Sequence, residues 1–299
     1  MATLYTYKGS NIRRTWLLFS GFFIVVIIVG WVFAQVYGNP LILYVAVLFS
    51  IVMNITSYWF SDKIVLSLAH AKPIDRATDP ELYRLVENLS IAAGLPMPKI
   101  YISPEAALNA FATGRDPQHA VIVVTAGLLD KLERVELEGV LAHELSHVGN
   151  RDILIGTTAV VLVGFISLLA DIFLRSMFWG GRRNNDRNDA GGVMLIIGIV
   201  LSILAPISAK LIQLAISRRR ESLADVSGAL LTRYPEGLAR ALEKIGRDIT
   251  PMSVAKNTTS HLWIDDPFAG RPKSQFLHNL FMTHPPIEER IRVLRDMKI

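Results

Sequence analysis

Four long apolar segments divide the chain, and amphipathic stretches lie between them. The first two, residues 16–37 and 41–60, contain no charged side chain. Because a helix rises 1.5 Å per residue, about 20 apolar residues cross the roughly 30 Å of hydrocarbon in a bilayer. An uncharged turn at residues 38–40 joins the two segments. The pattern therefore predicts a transmembrane helical hairpin at the start of the chain.

The third and fourth apolar segments, residues 153–174 and 193–217, are less regular. Asp171 lies near the end of one, and Lys210 and Gln213 interrupt the other. Their length suits a second membrane pair. The polar residues also fit a hairpin that is buried in a soluble domain or that enters the bilayer only partly, so both interpretations stay open.

Basic residues predict the orientation of the first hairpin. Lys8, Arg13 and Arg14 precede it and two Lys residues follow it by position 72, whereas its turn is uncharged. The positive-inside rule then places both ends in the cytoplasm. Four Arg residues between positions 175 and 187 would lie outside if the second pair crossed completely, which conflicts with the same rule.

The stretch between the two hairpins has the pattern of a water-soluble domain. Asp79 and Pro80 mark a helix start, and apolar residues recur at helical spacing over positions 82–89. Stretches rich in β-branched residues predict strands at residues 99–102, 109–113 and 121–124. Further helices are predicted over residues 133–150 and 287–297.

These elements predict a membrane protein that is mainly α-helical and has a small β-sheet. We divide the chain into four parts: a transmembrane hairpin (1–62), the first part of a soluble domain (63–152), a second, membrane-inserted hairpin (153–217) and a helical second part of the soluble domain (218–299).

Composition supports a chain that lies partly in a bilayer. Charged residues make up 19% and apolar residues 51% of the 299 residues, whereas soluble domains have about 25% charged residues. The net charge of +5 can suggest nucleic acid, but the Arg residues lie mostly beside apolar segments, so we expect lipid and no nucleic acid as a partner. The absence of Cys leaves only nitrogen and oxygen ligands for any zinc site.

The segment His143-Glu144-Leu145-Ser146-His147 lies within the predicted helix over residues 133–150. Positions i and i+4 share a helix face, so His143 and His147 can bind one zinc ion. Zinc lowers the pKa of a water molecule to about 7, and Glu144 can accept the proton that this water loses. The pattern alone is only moderately specific, because it also arises by chance in ordinary surface helices.

A second predicted helix supplies what a catalytic zinc site still needs, which is a third protein ligand and an open fourth position. Glu221 can be this ligand, and Asp225, one turn further on, can accept a hydrogen bond from a liganding imidazole. Taken alone, these two residues also fit a solvated helix face.

Four motifs together resemble the HtpX family of bacterial membrane-bound zinc proteases, which are gluzincins related to the prenyl-protein-processing endopeptidases. They are the segments 109–112 (NAFA), 141–147 (LAHELSH), 220–225 (RESLAD) and 283–286 (THPP). The resemblance covers essentially the whole chain. It implies a zincin-like α+β metalloprotease domain with one Zn²⁺ per chain, held by His143, His147 and Glu221, and Glu144 as the base.

The resemblance also implies a cellular role. We expect a multi-pass protein of the bacterial inner membrane with its catalytic domain in the cytoplasm. Its substrates would be unfolded, misfolded or damaged membrane proteins, as in stress response and quality control, and other membrane quality-control proteases are candidate partners.

Two further sites concern the substrate. Residues Asn109, Ala110, Phe111 and Ala112 resemble the strand beside the family's catalytic cleft, which would bind a peptide as an added strand; an ordinary core strand with Phe111 inward fits as well. His284 resembles a histidine that contacts the reacting oxyanion, and a structural histidine before Pro285 is the alternative.

Three other functions compete with this interpretation. A dedicated prenyl-protein-processing endopeptidase shares the zinc motifs but has more spanning segments. A transporter or channel would need more polar groups within the membrane segments. A non-catalytic, metal-stabilised scaffold would not need Glu144 beside the open metal position.

Overall fold

The computed structural model describes residues 4–36, 38–180, 218–254, 259–265 and 285–298. Of the long helices, α1 (Leu4–Val36) and α2 (Leu41–Leu68) form the first hairpin, and α6 (Asp152–Gly180) packs against both. Their shared core includes Leu18 and Phe22 of α1, which are fully buried.

The other faces of α1 and α2 expose large apolar side chains, including Trp16, Trp31, Leu48 and Trp59. Within the described residues, Gly9–Gln35 and Leu41–Leu68 are long and apolar enough to cross a bilayer. Within the same residues, Arg134–Gly149 and Asp152–Ile166, which are bent by 84° relative to each other, are a third candidate if they form one broken span. The exposed apolar faces are those expected of helices surrounded by lipid.

The sheet has four strands: β1 (Lys72–Ile74), β2 (Lys99–Ser103), β3 (Ala110–Thr113) and β4 (Val121–Thr125). Their order is β1-β2-β4-β3, in which β2 and β4 are parallel and the other pairs are antiparallel. Strand β3 is therefore at the edge of the sheet, and its Thr113 hydroxyl lies 2.9 Å from that of Thr157 in α6.

Further helices share an apolar core with one face of the sheet. They are α3 (Pro80–Ala93), α4 (Ala126–Lys131), α5 (Arg134–Gly149), α7 (Arg218–Thr232), α8 (Pro235–Arg247) and α9 (Ile287–Asp296). The core of this domain includes Val86 of α3, Ile122 of β4, Leu141 of α5 and Leu242 of α8, all fully buried.

The expected fold class is confirmed: two apolar helices long enough to span a membrane are joined to a helical domain with a small mixed sheet. Asp79 caps α3 as expected, since its side chain accepts from the Leu82 N–H at 3.0 Å. Strand β1 and helix α4 were not predicted. Helix α2 continues past residue 62, the predicted end of the first part. The division into four parts stays a prediction, and the fourth apolar segment (193–217) lies outside the described residues.

Candidate metal centre

Helix α5 presents the two histidines of the site on one face. It begins with a capping box, in which the backbone N–H of Glu133 donates to the Glu136 carboxylate at 2.8 Å. Such a cap fixes where the helix starts and thus which residues face the core. His143 is 1% exposed, and its Nε2 lies 3.2 Å from Nε2 of His147. The helical spacing therefore directs both nitrogens to one point.

Helix α7 brings the third candidate ligand to the same point. The Glu221 carboxylate oxygens lie 3.7 Å from Nε2 of His143 and 3.7 Å from Nε2 of His147. The close approach depends on Gly228, because a Cβ at this position would lie only 2.9 Å from the backbone nitrogen of His143. Any larger residue at 228 would hold the two helices further apart.

The three donors fit a tetrahedral zinc ion. Ligand atoms at 2.0–2.1 Å from a tetrahedral centre lie about 3.4 Å from one another, and the donor atoms of His143, His147 and Glu221 all lie within 4.8 Å of one another. Two imidazole nitrogens and one carboxylate oxygen are a common ligand set for catalytic zinc. The sequence motifs predicted that these three residues converge, and the structure brings them together.

The outer nitrogen of each imidazole faces a buried carboxylate. Nδ1 of His143 lies 2.9 Å from Asp225, as expected, and Nδ1 of His147 lies 3.0 Å from Asp152. A carboxylate there favours a proton on Nδ1, so that Nε2 keeps its lone pair for a metal. Asp152 was not predicted, although its position five residues after His147, at the start of an apolar helix, is visible in the sequence.

Asp225 has a second partner, which was not predicted from the sequence either. Arg290 of α9 donates from Nη2 and Nε to the two oxygens of Asp225, at 2.7 and 2.9 Å. Burial alone would raise the pKa of the Asp225 carboxyl, but Arg290 and then His143 outweigh burial and hold this pKa well below its ordinary value. Asp225 thus remains an anion that can accept from His143.

His147 and Glu144 both have pKa values above those of exposed residues of their type. Burial lowers the pKa of His147, but the carboxylates of Glu221 and Asp152 outweigh this effect and raise it to about 9 in the metal-free protein. Burial raises the pKa of Glu144, and the Ala112 backbone N–H donates to its carboxylate. A raised pKa makes the Glu144 carboxylate a stronger base.

Strand β3 lies beside this centre. Ala112 lines the cleft that also contains the two histidines and Glu144. Phe111 points inward and is 1% exposed, with its ring 4.7 Å from that of Trp263. On the outer edge of the strand, the Ala110 carbonyl accepts from the Ile264 N–H at 3.0 Å. A peptide that pairs along the whole edge must therefore displace Ile264.

Of the two further residues predicted to bind substrate, Asn109 lies within the described residues and His284 does not. The Asn109 side chain is buried and donates to the Asp265 carbonyl at 3.1 Å, so it holds the loop that covers β3. His284 lies outside the described residues. Substrate binding by either residue stays a prediction.

The sequence pattern of Peptidase family M48 matches residues 76–298, which include His143, Glu144, His147 and Glu221. The chain belongs to peptidase family M48. A Protease HtpX homolog from Caldanaerobacter subterraneus subsp. tengcongensis is 46% identical over 99% of both chains. Another, from Syntrophobacter fumaroxidans, is 49% identical over 97% of this chain and 100% of the relative.

A distantly related protein of known structure has a similar fold. The crystal structure of S. mikatae Ste24p matches 91% of the chain with a TM-score of 0.51 and 19% sequence identity. The chain spans 62% of the length of Ste24p, and the likeness concerns the fold alone. Together with the family match, the apolar helices identify a membrane metalloprotease, and His143, His147 and Glu221 form a cluster that could hold a metal ion. The expected HtpX-type family and enzyme class are thus confirmed.

Proposed function

We propose that this M48 peptidase is a zinc-dependent endopeptidase that cleaves misfolded or damaged membrane proteins at the bacterial inner membrane. One observation carries the proposal: Nε2 of His143, Nε2 of His147 and the Glu221 carboxylate converge, with donor atoms within 4.8 Å of one another, beside the buried carboxylate of Glu144. The three convergent groups would hold one zinc ion per chain.

A bound zinc ion would acidify a water molecule and polarise a peptide carbonyl. The residues of the chain do the rest. Glu144 takes a proton from water in the cleft and returns it to the leaving amine. Asp225 and Asp152 hold the imidazoles in the tautomer that leaves Nε2 free for the ion. Each step uses a group that is already fixed in place.

Substrate binding follows from the sheet edge. A peptide that lies along β3 would bind mainly through its backbone, so we expect weak sequence selectivity and a need for unfolded segments. Such a site suits damaged membrane proteins better than one defined recognition sequence. The cytoplasmic orientation of the catalytic domain belongs to the same proposal, and it is supported by the basic residues that flank the first hairpin. The proposal extends to cooperation with other quality-control proteases, which the resemblance to the HtpX family implies.

The test compares the purified full-length protein with its Glu144→Gln variant. Bound zinc and the cleavage of casein are measured in parallel. We expect the variant to retain one zinc per chain and to lose cleavage by at least about a hundredfold, because the proton acceptor is gone. Glu138→Gln, in the same helix but outside the cleft, serves as the control. Equal cleavage by Glu144→Gln and the wild type would refute the assigned base, and the absence of zinc from the wild type would refute the site.

A further inference from the structure

A buried polar side chain of the first membrane helix reaches the metal centre. Asn11 lies near the start of the apolar span Gly9–Gln35 and is only 3% exposed. Its Nδ2 donates to Oδ1 of Asp152 at 2.6 Å and to the backbone carbonyl of Asn150 at 3.1 Å. Its Oδ1 accepts from Nη1 of Arg220 at 3.3 Å. These partners come from the end of α5, the start of α6 and the start of α7.

The contacts determine the orientation of the Asn11 amide. Nδ2 faces a carboxylate and a carbonyl, which only accept, and Oδ1 faces a guanidinium, which only donates. A flipped amide would place like groups against each other. The amide nitrogen and the amide oxygen of Asn11 therefore both have hydrogen-bond partners, as expected of a buried polar side chain.

The two oxygens of Asp152 have separate partners. Oδ2 lies 3.0 Å from Nδ1 of His147, whereas Oδ1 receives the Asn11 amide and lies 3.5 Å from Nε of Arg220. The Asn11 amide therefore holds the carboxylate in the orientation in which Oδ2 can face the imidazole. Without the Asn11 amide, the Arg220 guanidinium would attract Oδ1 of Asp152, and no contact from α1 would oppose this attraction. The Asp152 carboxylate could then rotate away from His147.

We infer that Asn11 is a positioning residue of the metal centre, which acts through Asp152 on the ring of His147. The first membrane helix is then part of the catalytic unit as well as an anchor. The inference rests on the proposed zinc site, because its consequence is a change in metal affinity. Partners that orient a liganding histidine contribute about 10- to 100-fold to metal affinity, and Asn11 is one contact further out.

The test measures zinc affinity by competition with a chelator, using the full-length protein in detergent. We expect Asn11→Ala to bind zinc about tenfold more weakly than the wild type, at the lower end of the range for such contacts. Thr15→Val is the matched control. Thr15 is equally buried one turn along α1, and its hydroxyl donates to the Asn11 backbone carbonyl at 3.0 Å. This control should bind zinc like the wild type.

A double-mutant cycle separates positioning from general packing. If Asn11 acts through Asp152, Asn11→Ala should cause no further loss of affinity in an Asp152→Ala background. Losses that multiply, an unchanged affinity of Asn11→Ala, or an equal loss in Thr15→Val would each overturn the inference while leaving the zinc site intact. A wild type that binds no zinc would overturn the proposed function as well. If Asn11→Ala does not accumulate, Asn11→Ser takes its place in the same cycle with the same criteria.

Discussion

Gly228 of α7 lies directly against the backbone of His143 in α5. A Cβ at position 228 would come within 2.9 Å of the His143 nitrogen and within 3.1 Å of its Cα. Because no side chain lies between the two backbones at this point, α7 and α5 approach each other very closely. This contact determines whether Glu221, two turns earlier on α7, reaches the two imidazoles.

The first prediction concerns this contact. Gly228→Ala should push α7 away from α5, weaken zinc binding at least about tenfold and destabilise the fold by about 1–3 kcal/mol, the usual cost of overpacking a core. Zinc affinity and thermal unfolding are the measurements. Gly164→Ala is the control, since a Cβ at Gly164 meets nothing within 4 Å. Unchanged zinc affinity in Gly228→Ala would show that the helix separation does not matter to the site.

Arg290 should contribute strongly to the stability of the fold, although it lies away from the cleft. Arg290→Met leaves the Asp225 carboxylate buried without its cation, and breaking such a pair costs about 3–5 kcal/mol. Thermal unfolding of the metal-free protein measures the effect. Arg292→Met, on the exposed side of the same helix, is the control. A loss no larger than that of the control would mean that Asp225 is stabilised by other groups.

Zinc affinity should depend on pH over an unusually wide range. The metal-free His147 has a pKa of about 9, raised above the ordinary 6.5, so it holds its proton until the pH rises through this value. Zinc must displace this proton, and its apparent association constant should rise by up to about tenfold per pH unit from pH 6 to 8. An unperturbed histidine would level off near pH 7. Chelator competition at several pH values distinguishes the two, and a plateau from pH 7 upward would contradict the raised pKa.

The patterns in the sequence predicted the elements with strong local signals. His143 and His147 were recognised from their spacing in one helix, and Glu221 and Asp225 from a second helix one turn apart. Strand β1 was missed because it has only three residues with a Pro at its centre. A short strand of this kind has neither the length nor the alternation that local patterns detect.

The supporting residues of the centre could not be predicted in this way. Arg290 follows Asp225 by 65 positions, and Asn11 precedes Asp152 by 141. Contacts over such separations leave no periodic signal, because they depend on how whole helices pack. The sequence shows which residue types can bind a metal, whereas the three-dimensional fold determines which neighbours orient them.

Because the metal centre lies beside α1, the rate of substrate cleavage should depend on the distance of the cleaved loop from the membrane. Asn11, at the start of the apolar span, contacts Asp152, which contacts His147, so the metal should lie close to the lipid surface. A cleavable loop tethered to a membrane anchor should therefore be cut more slowly when a long flexible spacer moves it away from the bilayer. Cleavage of the same loop by the detergent-solubilised protein is the control. Equal rates at every spacer length in vesicles would contradict this placement.

The proposed metal centre requires that His143, His147 and Glu221 converge on one ion. X-ray absorption at the zinc edge of the purified full-length protein measures it directly. We predict one zinc per chain with two imidazole nitrogens and further oxygen ligands at about 2.0–2.1 Å, a spectrum preserved in Glu144→Gln, and loss of the ion in His147→Ala. A spectrum with fewer than two imidazoles, or zinc that His147→Ala retains with an unchanged spectrum, would contradict the central claim.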